Sequence, residues 1–276
     1  MYGYSFYLDA MAKNWDALIL DDYAAVMPLT FKKKYGVYYL YQPFFTACLG
    51  VFGNNISADM VEEFLNTIPP KFRYWDIYLN HGNYFQLNSF ELYQRVNYVL
   101  DLSKSYDIIY EAYRDNIKRN IKKARQLKCI IKKSVHIDEV INLAQQQSKT
   151  FSPVTGTDYK NFRKLYQQLA QKQQALTYGV YTANDQLMAS CVLFLSNERL
   201  YYILVGNHPN GRAFGASHAL VDTFIKEHAG QNIVLDFEGS DIRNLAFFYS
   251  SFGAVEENYP GLKLNRLPKV LQLIKK

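Results

Sequence analysis

Apolar and polar positions recur with one rhythm in the first part of the chain and another in the second. Through about residue 105 the pattern is mostly that of strands. Tyr35–Tyr41 is a β-branched and aromatic run stopped by Pro43, and Lys32, Lys33 and Lys34 before it read as the polar tip of a hairpin. One helix stands out: Ser57 caps it, Asp59, Glu62 and Glu63 fill its first turns, and Met60, Val61, Phe64 and Leu65 share a side. Pro69–Pro70 ends it. Residues 72–79, 85–87 and 90–100 add strand-like segments with aromatic residues at period two in places.

The rhythm changes at Asp107. Ile109, Tyr113, Ile117, Ile121 and Ala124 return every three or four positions, which predicts one long helix over 108–125. Arg114, Lys118, Arg119, Lys122, Lys123 and Arg125 make its other faces strongly basic. That is either a solvated face or a surface toward phosphate or another anion. Downstream the pattern predicts a strand at 129–132, a helix at 137–147, a loop at 150–158 and a helix at 159–171. Strands at 176–181, 188–195 and 200–205 form an antiparallel meander. A helix at 214–228, a strand at 232–237, a short helix at 244–251 and a closing strand at 262–265 complete the order. Only the step from 200–205 through 214–228 to 232–237 needs a parallel crossover, and such a step sets a helix N-terminus beside a strand end, where α/β folds bind ligands.

Composition narrows the class. The chain has 276 residues, 49% of them apolar, 20% charged, and 24 Tyr and 18 Phe among them. A sizeable core and two domains are within its means, and disorder is excluded. The net charge of +6 is mild. Cys48, Cys129 and Cys191 are too scattered for a disulfide framework or a zinc cluster, and no metal site is expected. No apolar run approaches the roughly 18 residues of a membrane span, and the opening MYGYSFYLDAMAKNW lacks the segments of a signal peptide. The expectation is a soluble cytoplasmic protein.

Three stretches then carry a family likeness. Arg212-Ala213-Phe214-Gly215-Ala216-Ser217 resembles the helix-start pattern of the GCN5-related N-acyltransferase (GNAT) superfamily, with Ser217 in place of the usual smallest residue. Leu235-Asp236-Phe237-Glu238-Gly239-Ser240 is similar to a strand-and-turn segment of the FemAB-like branch. Phe248-Tyr249-Ser250-Ser251-Phe252-Gly253-Ala254 resembles the superfamily's closing segment, with Ala254 departing from its final Phe. The resemblance implies an α/β (α+β) fold with a mixed central sheet flanked by helices. It also implies two tandem GNAT-like domains: a degenerate copy over 1–105, a basic linking helix over 106–127 and an acyltransferase domain over 128–276.

The family's activity, carried over by position, implies direct transfer of an acyl group from an acyl-coenzyme A thioester to an amine. In that reading acetyl-CoA or another acyl-CoA is the co-substrate, cradled by Val205, Arg212, Phe214, Gly215, Ala216 and Ser217. The acceptor is an amine-bearing small molecule or cell-wall precursor. Tyr249 falls where the superfamily's thiolate-protonating tyrosine lies, and a phenol of pKa ~10 can supply that proton. Glu238, with Asp236 behind it, is the candidate base; the two share one side of a strand end. His208 is a loop histidine with a possible base role, and His218 is expected to shape its helix. Tyr259-Pro260-Gly261 and Tyr39, Tyr41, Phe44 and Phe45 are candidates for an acceptor rim.

Two alternatives accompany this reading. One is the FemAB-like transferase that takes its acyl group from aminoacyl-transfer RNA. The basic helix supports it, whereas the lack of the long helical arm that some FemAB enzymes insert places it second. The other is a non-catalytic binding protein on the same fold. A pocket where strands 200–205 and 232–237 splay apart favours an enzyme.

Overall fold

A computed structural model describes residues 1–148, 153–239 and 241–268. Part of the loop expected at 150–158, and Ser240 of the strand-and-turn motif, lie outside the described residues. Two compact units divide the chain, one of residues 1–96 with those described from 257 onward, the other of 97–256.

In the first unit α1 (Ser5–Met11) and β1 (Trp15–Leu20) precede β2 (Ala25–Lys34), β3 (Val37–Tyr41), the two-residue β4 (Phe52–Gly53), α2 (Ala58–Thr67) and β5 (Phe72–Tyr78). Ser57 Oγ accepts from Met60 N–H at 3.2 Å and starts α2 as expected. Val61, Phe64 and Leu65 of that helix join Met27, Leu40, Trp75 and Ile77 in the core. The lysines are not the hairpin tip. Lys32, Lys33 and Lys34 end β2, paired with Tyr39, Tyr38 and Val37, and the ammonium groups of Lys32 and Lys33 lie over the rings of Tyr41 and Tyr38. The turn itself is Tyr35–Gly36, both at positive φ, the conformation that suits the twist of a tight hairpin.

The second unit starts within β6 (Leu92–Asp101) and continues through α3 (Tyr106–Glu111), α4 (Asp115–Gln126), β7 (Ile130–Lys133), α5 (Ile137–Ser148), α6 (Gly156–Gln171), β8 (Ala175–Tyr181), β9 (Leu187–Ser196) and β10 (Arg199–Asn207). There follow α7 (Gly211–Phe214), α8 (Ala216–His228), β11 (Val234–Asp236), α9 (Arg243–Ser250) and β12 (Val255–Asn265), which belongs to the first unit from residue 257 onward. The second unit's strands run in the order β6-β11-β10-β9-β8-β7. The β10–β11 pair is parallel, and the other pairs are antiparallel. Helix α5 packs on β10 and β9, α8 on β8 and β9, and α4 on α8. This is a mixed α/β architecture, a sheet flanked by helices.

Three expectations change. The long basic helix is two helices, because Arg114 is extended and donates its N–H to Ser251 O at 2.9 Å, outside any helical ladder. The stripe of Ile109, Tyr113, Ile117, Ile121 and Ala124 is nonetheless buried throughout. The helix expected from 214 is likewise two pieces, hinged at Gly215 with φ 66°. Residues 262–265, expected to close the sheet of the second half, pair antiparallel with Tyr74–Ile77 of β5 in the first unit. Among the described residues no helix is long and apolar enough to cross a membrane, and no group of three His, Cys, Asp or Glu side chains could hold a metal ion.

Candidate active site

The parallel ladder between β10 and β11 is short, running only from Arg199↔Val234 to Tyr201↔Asp236. Beyond it β10 continues without β11, still paired with β9 across a register shift between Tyr202 and Leu204, a bulge that re-aims the strand. A cavity of about 620 Å³ opens there within the second unit. Tyr202, Val205 and Asn207 of β10 line it, with His208, Pro209 and Arg212 from the following turn, Ser217 and His218 from α8, Asn244, Leu245, Phe247, Phe248 and Tyr249 from α9, and Asn116 and Asn120 from α4. Its size is that of a small-ligand site, and it sits where the sheet passes from antiparallel to parallel pairing, beyond the short β10–β11 ladder.

Of the residues singled out from the sequence, Val205, Arg212, Ser217 and Tyr249 meet in this cavity. Phe214, Gly215 and Ala216 stand behind its wall as the hinge between α7 and α8. A Cβ on Gly215 would collide with the carbonyl oxygen of Asn120, so glycine permits both the left-handed turn and the close approach of α4. Ser217, the departure from the usual smallest residue, donates its hydroxyl to Asn207 Oδ1 at 2.6 Å and ties α8 to the end of β10.

Tyr249 is buried, its ring stacked on Phe237 with centroids 4.4 Å apart and edge-on to Tyr202. Burial first, and then the charge of Glu238, hold its phenol above the usual tyrosine range, so it is a protonated donor at neutral pH. Glu238 and Asp236 lie at the end of β11 and do not line the cavity. Asp236 is buried and engaged at both oxygens: Arg199 reaches Oδ2 at 2.9 Å, while Asn97 Nδ2 and the Glu238 N–H each donate to Oδ1 at 2.8 Å. That network holds Glu238 at φ 66°, a conformation costly for a side-chain-bearing residue. His208 accepts from the Asn210 N–H at 3.1 Å and adjoins Gln186, as a turn-shaping histidine does.

Tyr39, Tyr41, Phe44, Phe45 and Tyr259–Gly261 all belong to the first unit. Sequence reasoning missed the four asparagines of the cavity and undervalued His218. Asn116 and Asn120, one helical turn apart amid cations, carried the only available signal, a polar stripe beside the apolar one.

Residues 111–242 match the family described as an acetyltransferase (GNAT) domain. The chain carries a GNAT-superfamily domain. Over most of its length this GNAT-domain protein also resembles solved structures in fold. FemX is 13% identical over 96% of this chain and 91% of that chain, with a TM-score of 0.62. A conserved protein of unknown function from Bacteroides thetaiotaomicron is 12% identical over 94% and 90%, with a TM-score of 0.61. L-PGS from Bacillus licheniformis is 10% identical over 94% and 87%, with a TM-score of 0.56. No curated protein matches the chain.

Proposed function

We propose that the protein is a FemAB-like aminoacyltransferase, taking its acyl group from the ester of a charged transfer RNA and passing it to an amine. One observation carries this reading. With successive residues about 100° apart around a helix, Asn116 and Asn120 of α4 face the cavity, while Lys123, Arg119, Lys122, Lys118 and Arg125 sweep around the outer surface from that edge. A row of cations running from a cavity mouth suits a polyanion whose reactive end must enter the cavity. The basic helix therefore reverses the order of donors drawn from the sequence, and the likeness in fold to FemX supports the same choice. The two-domain organisation of FemAB-like enzymes, with a degenerate GNAT-like first domain, belongs to this proposal, as does a cytoplasmic setting.

The chemistry assigned to the site is direct transfer. The amine nitrogen attacks the ester carbonyl, a C–N bond forms, and the C–O bond to the ribose breaks. Tyr249 delivers its phenolic proton to the departing oxygen, and Glu238, set at the end of β11 outside the cavity lining, takes the proton released by the nitrogen through one bridging water. Asp236 is assigned to holding the strand end, since its oxygens are occupied. The open cavity weighs against a merely structural protein.

An acyl-coenzyme A donor is the second reading. It is favoured by the Arg212 side chain in the cavity and the N-terminus of α8 at its wall, a place suited to a pyrophosphate. Binding distinguishes the two. Charged transfer RNA is expected to bind with steep salt dependence, and a variant carrying Lys118→Gln, Arg119→Gln, Lys122→Gln and Lys123→Gln to bind at least ~10-fold more weakly. Saturable acetyl-CoA binding with no measurable affinity for transfer RNA would overturn the first reading in favour of the second.

A further inference from the structure

His218 is the one imidazole of the cavity that the proposed chemistry does not use and that no turn geometry explains. It occupies the first turn of α8, a helix of 13 residues, and lines the cavity alongside Tyr249. Its ring stands edge-on to Phe248, with centroids 5.1 Å apart and planes at 84°. Phe248 in turn lies against Tyr249, so one aromatic ring separates the imidazole from the phenol. Nδ1 is buried and has no hydrogen-bond partner. A buried N–H without an acceptor is rarer in folded proteins than an acceptor left short of a donor. The favoured tautomer therefore leaves Nδ1 as the bare lone pair and puts the hydrogen on Nε2, the other nitrogen of a ring that lines the cavity.

The surroundings also keep the ring uncharged. Burial and the Arg212 guanidinium lower its pKa from the ordinary 6.5 to about 4, and the positive end of the α8 dipole acts in the same direction. Besides Arg212, the other titratable groups of the cavity are His208 and the phenols of Tyr202 and Tyr249, and none is an anion that would favour an imidazolium. A neutral imidazole is a poor proton acceptor from an ammonium group at neutral pH. It is a good fixed hydrogen-bond donor, because no proton has to be lost or gained as charge develops on the oxygen it faces.

We propose that His218 is a catalytic residue that donates a hydrogen bond from Nε2–H to the acyl carbonyl oxygen and stabilises the oxyanion formed when the amine attacks. The proposal rests on the transferase reading above and deepens it, and it holds for an ester or a thioester donor alike. No bond to His218 forms or breaks. As the carbonyl carbon gains the amine nitrogen, the carbonyl electron pair moves to oxygen and is held there by the imidazole N–H. It returns when the leaving group departs.

The test compares the wild-type protein with His218→Leu and His218→Gln, whose side-chain amide can place a donor near the position of Nε2. With whichever donor the wild type accepts, His218→Leu is expected to lower kcat about 100-fold or more with little change in donor KM, and His218→Gln to recover part of the loss. Nitrogen NMR of the wild type is expected to show His218 neutral, with hydrogen on Nε2, from about pH 5 to 8. Undiminished kcat in His218→Leu, a loss confined to KM, or an imidazolium signal at pH 6.5 would overturn the assignment while leaving the transferase reading intact. A folded wild type that neither transfers nor hydrolyses an acyl group from either donor would overturn both.

Discussion

The phenol ring of Tyr249 lies flat on Phe237, 4.4 Å away between centroids and only 19° from parallel. The stack joins α9 to the residue that follows β11, and so fixes the proposed proton donor relative to the end of the parallel ladder. Because the ring contributes the packing and the hydroxyl the chemistry, the two can be separated. Tyr249→Phe should retain stability to within about 1 kcal/mol and should bind donor normally, yet lose about 100-fold or more in turnover. Unchanged turnover would remove the hydroxyl from the mechanism.

Asp236 makes a contrasting prediction. Its carboxylate holds Arg199, Asn97 and the Glu238 N–H together. Asp236→Ala takes a buried carboxylate from a largely buried guanidinium and from the Glu238 N–H, and should cost about 3 kcal/mol in urea denaturation. Glu238→Gln should leave stability nearly unchanged and lower transfer. Equal stability loss in the two variants would contradict this division of roles.

The hinge at Gly215 can be tested without any substrate. Its φ of 66° and its approach to Asn120 leave no room for a side chain. Gly215→Ala should destabilise the protein by on the order of 2 kcal/mol. The same change at Gly230, where φ is 82° but nothing lies within reach of a Cβ, should cost only the backbone term.

Stability should also depend on pH through His218. Its folded pKa, about 4, lies below the unfolded value of 6.5. The unfolded chain therefore binds more protons between these limits, and stability falls as the pH drops from 6.5 toward 4. Arg212 opposes the charged ring, and no carboxylate among the described lining residues offsets it. The contribution is about 2 kcal/mol after allowing for partial solvent access. His218→Gln should flatten that part of the melting-temperature profile, and an unchanged profile would contradict the buried neutral ring.

Much of this arrangement could be read from side-chain periodicity. Ser57 marked the start of α2, the stripe from Ile109 to Ala124 marked a buried face, and the turn signals placed β8, β9 and β10. What periodicity could not give was any break made by a long-range partner. Arg114 leaves the helix because Ser251, more than 130 positions away, accepts its N–H. Residues 262–265 leave the second unit because they pair with β5, nearly 190 positions away. The cavity was legible as a place, the end of a parallel crossover, and Val205, Arg212, Ser217 and Tyr249 were legible by resemblance. Asn116, Asn120, Asn207 and Asn244 come from three separate segments, and only the fold brings them together.

The donor, charged transfer RNA or coenzyme A, decides what the cavity and the basic helix are for. The most direct measurement follows a labelled acyl group presented to the protein on charged transfer RNA, and in parallel on coenzyme A, with a panel of primary amines as acceptors. Label is expected to leave transfer RNA and appear in an amide, and neutralising Lys118, Arg119, Lys122 and Lys123 to suppress this transfer at moderate salt. Label passing from coenzyme A alone, at a rate indifferent to those four cations, would contradict transfer RNA as the donor.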